Sequence, residues 1–74
     1  MTLTGAQANF LLDIASAQQL PMIPVRYARD RDADATALER CGLVERHYIG
    51  GHYGACVTEQ GFAVLDALSK TLDQ

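Results

Sequence analysis

Apolar residues change their spacing along this chain, and each change marks an element. Phe10, Leu11, Ile14, Ala15 and Ala17 recur at intervals of three and four, the stripe of a helix that buries one side. Thr4 and Gln7 form a capping-box pair at its start: the hydroxyl takes one early backbone N–H while the amide reaches back to another. Pro21 disfavours helical geometry at Leu20, so the helix ends near Gln18 or Gln19. Pro24 suits the first position of a short helix through Tyr27 or Ala28, because its fixed φ fits that turn and its missing N–H is not needed there. Leu12 falls off the stripe and is a candidate dimer contact.

A second periodic run predicts a helix whose inward stripe is Ala35, Leu38 and Cys41, leaving Ala33, Thr36, Ala37 and Arg40 on the open face. Asp30, Asp32 and Asp34 can each cap it, with Asp32 the expected cap. Gly42 supplies the positive φ that closes the last turn, and Leu43 folds back on Leu38 as in a Schellman motif.

The spacing then switches to the alternation of strands. Val44 to Ile49 and His52 to Val57 are separated by Gly50-Gly51, which suits a two-residue hairpin loop. Such a loop pairs Ile49 with His52, Tyr48 with Tyr53, Arg46 with Ala55 and Val44 with Val57. Val44, Arg46, Tyr48, Tyr53, Ala55 and Val57 then share the face that packs on the helices. Glu45, His47, Ile49, His52 and Cys56 share the other. Thr58 caps a last helix from Glu59 to about Leu72, with Phe62, Leu65, Leu68 and Leu72 as its core stripe, widened by Ala63, Val64 and Ala67. Val64 is the residue expected to be left over for a second chain.

Seventy-four residues fit one domain spanning 1–74, and 49% apolar content with 20% charge is that of a folded chain. The expected fold is α+β: helices packed with a two-stranded antiparallel hairpin. No apolar run reaches the roughly 18 residues of a membrane span, and no signal-peptide layout opens the chain, so the expected location is cytoplasmic, with both cysteines reduced. Net charge is -3, yet five of the six cations (Arg26, Arg29, Arg31, Arg40, Arg46) lie between residues 26 and 46. Asp30, Asp32, Asp34, Glu39 and Glu45 are interleaved with them, so the segment is charge-dense and locally neutral.

Leu38, Gly42, Leu43, Val44 and Arg46, followed by Val57, Thr58, Glu59 and Gly61, resemble two runs of the winged helix-turn-helix domain in MarR-like bacterial regulators. There the recognition helix ends in Leu-x-x-x-Gly-Leu-Val-x-Arg and the wing closes on Leu/Val-Thr-Glu-x-Gly. The resemblance covers about half the chain, and the Pro-containing connector before Asp32 departs from it, since a full second helix would stand there. It implies a small winged-helix protein that binds double-stranded DNA and regulates transcription, of bacterial or phage type. Thr36 and Arg40 would read bases from the major groove, Arg26, Arg29 and Arg31 would contact phosphates, and His47 and His52 would lie on the wing.

Two other classes stand beside that expectation. The negative net charge and the aspartates around the second helix favour a winged-helix adaptor or inhibitor that binds another protein and not DNA. A homodimer module would need Leu12, Val64 or Ile49 to line a self-complementary patch. Catalysis is not expected, because no nucleophile stands in a defensible pattern with a base and no phosphate-binding Gly-rich loop exists. No cofactor is expected, and no metal, because His47, His52 and Cys56 lack compact ligand spacing.

Overall fold

The computed structural model of the chain describes residues 3–18 and 23–72; Pro21, with its proposed role in ending the first helix, lies outside them. The elements follow the order α1 (Gly5–Ala17), β1 (Val25–Arg26), a single 3₁₀ turn (Arg29–Arg31), α2 (Asp32–Arg40), β2 (Val44–Ile49), β3 (His52–Val57) and α3 (Glu59–Leu72). The three strands form one antiparallel sheet in the order β1-β3-β2, with the helices packed against it. The domain is therefore α+β, as the alternating periods predicted, with one more strand than the hairpin alone. Among the described residues no helix is long and apolar enough to cross a membrane.

The capping box of α1 forms as read: Gln7 N–H donates to Thr4 Oγ1 and Thr4 N–H to Gln7 Oε1, each at 3.1 Å. Phe10, Leu11 and Ile14 meet Ala35 and Leu38 of α2, together with Leu43, Val44, Ala55 and Val57, in one core. Leu12 remains 53% exposed.

The end of α2 is closed by backbone bonds from both residues that follow Cys41. Leu43 N–H donates to Leu38 O at 3.0 Å and Gly42 N–H to Glu39 O at 2.9 Å, the two bonds of a Schellman motif, with Gly42 at φ 76°. Leu38 and Leu43 are both fully buried. Two residues and a hairpin later, Thr58 returns to this point. Its N–H donates to Leu43 O at 3.0 Å and its hydroxyl to Gly42 O at 2.7 Å, while that hydroxyl accepts the Gly61 N–H at 3.1 Å as the cap of α3. The hairpin between them has the register read from its glycines, from Val44↔Val57 to Ile49↔His52.

Four expectations are corrected. The residues after Pro24 form strand and not a short helix: Val25 pairs with Ala55 and Arg26 with Gly54. Gly54 makes this possible, because a Cβ there would lie 2.9 Å from Pro24 Cβ. Asp32 is the first residue of α2 and not its cap; Arg31 holds the cap position without a side-chain bond, since the preceding 3₁₀ turn already directs the backbone. The face opposite the helices is not open along its length, because Cys56 is only 4% exposed, next to Val57, whose N–H donates to Gln18 Oε1 at 2.8 Å. Conversely Tyr48, on the face expected to pack, is 66% exposed toward the hairpin tip.

The fourth correction concerns the rotation of α3. Gly61 is seated so closely that a Cβ would stand 2.2 Å from Leu43 O and 2.7 Å from Val57 Cγ1. With Gly61 inward, the positions three and four residues on turn inward as well, so Val64 and Leu65 pack on the core. Val64 is thus not the leftover residue. Phe62 and Leu68, expected in the stripe, are 45% and 39% exposed; the side chain of Leu72 lies outside the described residues.

Candidate functional site

The seven residues singled out from sequence separate into two groups. Arg26 leaves the edge strand β1 exposed, and Arg29 opens the 3₁₀ turn, also exposed. His52 begins β3 just past the hairpin loop. Arg26 Nη2 lies 2.9 Å from His52 Nδ1, and because a guanidinium only donates, the ring nitrogen is the acceptor of this bond. Arg26, Arg29 and His52 line one groove of about 340 Å³, floored by Tyr27, Tyr48 and Tyr53. His47 lies half-buried and lines a neighbouring hollow of about 220 Å³ with Pro24, Ile49 and Gly54, shared with Arg26 and His52.

The remaining three do not join them. Arg31 stacks its guanidinium over the Phe10 ring, 4.9 Å from the centroid, and reaches Asp13 at 3.6 Å and Asp34 at 3.9 Å, so it clamps α1 to the start of α2. Thr36 turns its hydroxyl back along its own helix and donates to Asp32 O at 2.8 Å. Arg40 is exposed in the last turn of α2, and none of the ion pairs among the described residues involves Arg26, Arg29 or Arg40.

One network escaped the sequence reading. Arg46 on β2 holds both ends of α2: Nη1 donates to Asp32 at 3.1 Å and Nε to Glu39 at 3.0 Å, while its backbone N–H reaches Glu39 Oε2 at 3.3 Å. The Tyr27 hydroxyl donates to the same Asp32 carboxylate at 2.5 Å. That bond, with Arg46 beside it, holds the Asp32 carboxyl below its ordinary range, and the carboxylates hold the Arg46 guanidinium more firmly protonated. Burial, reinforced by the adjacent Asp32 carboxylate, pushes the Tyr27 phenol well above its ordinary value. The only sequence signal was Glu39 and Arg46 flanking the Gly42-Leu43 turn, seven residues apart across a change of element.

Rings run across the sheet from α1. Phe10 meets Tyr27 edge-on at 5.2 Å, Tyr27 lies 5.9 Å from Tyr53, and Tyr53 is 5.0 Å from its cross-strand partner Tyr48. Cys41 and Cys56 are free thiols, and burial pushes the Cys56 thiol up. Among the described residues no group of three His, Cys, Asp or Glu side chains is placed to hold a metal ion.

No protein-family model, curated protein or solved structure significantly matches the chain.

Proposed function

We propose that this chain is a small winged-helix DNA-binding protein that regulates transcription and engages DNA chiefly from its wing side. The observation that carries this reading is the convergence of Arg26, Arg29 and His52, from three separate segments, on one groove whose lining contains no carboxylate. In a protein of net charge -3, Arg26 and Arg29, which enter no ion pair among the described residues, place two positive charges on this groove, and phosphate contacts need clustered cations. The order of α2, hairpin and α3, resembling MarR-like regulators around Gly42 and Gly61, supports the same reading. Arg40 adds a cation on the exposed end of α2, whereas Arg31 and Arg46 are held by internal partners. The first turn of α2 carries Asp32 and Asp34, with Asp30 just before it, so this helix end does not favour a phosphate.

An amide-shift titration with a mixed-sequence duplex tests the reading. The expected outcome is shifts on residues 26–29, 40 and 51–53 at low salt that weaken steeply near about 0.2 M salt. No shift at low salt overturns it.

A second reading has its own observation. Ile49 is 66% exposed and, with Pro24, lines a hollow at the sheet edge, an exposed apolar contact suited to a protein adaptor or inhibitor. A complex with a protein partner that persists in high salt and depends on Ile49 favours it over DNA binding.

A further inference from the structure

We infer that the groove of Tyr27, Tyr48 and Tyr53, flanked by Arg26 and Arg29, is a binding site for an unpaired nucleotide in DNA, the base stacking on Tyr48 and its phosphate held by the arginines. This rests on the nucleic-acid reading above and names what that surface takes.

Exposure of Tyr48 is the first observation. A cross-strand aromatic pair that serves only the hairpin has no need to leave one ring 66% open to water, yet Tyr48 is held there by edge contact with Tyr53 at 5.0 Å and 60°. Tyr53 in turn rests against Tyr27, whose hydroxyl is anchored on Asp32 and whose backbone N–H donates to Tyr53 O at 3.1 Å. The ring that faces solvent is thus the free end of a fixed row, so ordering it on binding costs little. The second observation is size and charge. A groove of about 340 Å³ is within the range that holds a small ligand, and Arg26 and Arg29 on its rim complement a phosphate. The carboxylates of Asp32 and Glu39 line the adjoining hollow that shares the three tyrosines, and Arg46 takes them up there. An aromatic face accepts any base, while arginine takes the phosphate, the combination by which proteins hold single strands. In an intact duplex the base faces are stacked on one another, so a ring can reach one only at an end, a gap or a melted step.

Fluorescence anisotropy with the full chain and three labelled DNAs tests this: a blunt duplex, the same duplex with a short single-stranded overhang, and that duplex with the overhang built of abasic sites. The expected result is about tenfold tighter binding to the overhang than to the blunt end, lost with the abasic overhang. Tyr48→Ala should bring the ratio of overhang to blunt-end affinity down to about one, whatever it does to the blunt-end affinity, and Tyr48→Phe should restore the preference. Circular dichroism of both variants checks that they fold. Equal binding to all three DNAs, or an overhang preference that survives Tyr48→Ala, overturns the inference and leaves duplex binding standing. Binding to none of them overturns both.

Discussion

Two arginines on the outer strands of the sheet, Arg46 on β2 and Arg26 on β1, show two uses of the same side chain. Arg46 has its guanidinium between Asp32 and Glu39, two carboxylates of its own fold, and ties the sheet to α2 at both ends. Arg26 bonds a ring nitrogen of His52, enters no ion pair among the described residues, and lines a groove. A count of cations sees them as equal. Their surroundings make one a structural fastening and leave the other's positive charge uncompensated, and only the second kind is available to a partner. Arg31 belongs with Arg46, and Arg29 and Arg40 with Arg26.

The comparison breaks most severely where the fastening side loses its close approach. Gly61→Ala forces a Cβ against Leu43 O, and the expected cost is about 3 kcal/mol or more, lowering the melting temperature by over about 10 °C in a domain of this size. Thermal unfolding by circular dichroism measures it. Arg46→Ala should cost about 1–3 kcal/mol in urea unfolding, because two carboxylates lose a shared partner, whereas Arg26→Ala and Arg29→Ala should stay within about 0.5 kcal/mol. Salt-dependent DNA binding reverses the ranking: Arg29→Ala is expected to reduce both affinity and salt slope, with the slope falling by about 1. Loss of stability in Arg29→Ala equal to that of Arg46→Ala would erase the distinction.

Acid sharpens it further. The Asp32 carboxyl is held below its unfolded value of about 3.9, so its contribution to stability is present above that pH and is lost as pH falls through the lower folded value. Tyr27→Phe removes the bond that lowers it most, and the variant's stability should decline less between about pH 4 and pH 2, by a few tenths of a kcal/mol up to about 1. Urea unfolding across that range is the measurement; an unchanged acid slope would show that Tyr27 does not tune Asp32.

Local chemistry was legible in the sequence, and distant partnership was not. The Schellman turn at Gly42, the hairpin register about Gly50 and Gly51 and the cap at Thr58 each depend on residues within a few positions of one another. β1 was missed because two residues carry no periodicity, and because its place depends on Gly54, nearly thirty residues later, leaving room for Pro24. Placing Phe62 inside was the reverse error: the 3.6-residue period identifies a stripe without fixing its rotation, and the contact of Gly61 with Leu43 O turned the helix. Of the candidate site, residue types and segment were readable, but not which arginines fold partners would occupy. Asp32 and Arg46 are fourteen positions apart, with a turn and a strand start between them.

Thr58 closes a loop that begins at Gly42, bonding both Gly42 O and Leu43 O while starting α3. The clasp spans sixteen positions, but the two-residue turn at Gly50-Gly51 brings its ends together by zipping the hairpin, so it can form before α1 has docked. Residues 38–62 would then behave as one cooperative unit, and native-state hydrogen exchange should find the amides of Leu43, Thr58 and Phe62 among the slowest, with those beyond Asp66 exchanging by local fraying. The hairpin would enter the native state already joined at its base, with its tip the last part left free to adjust.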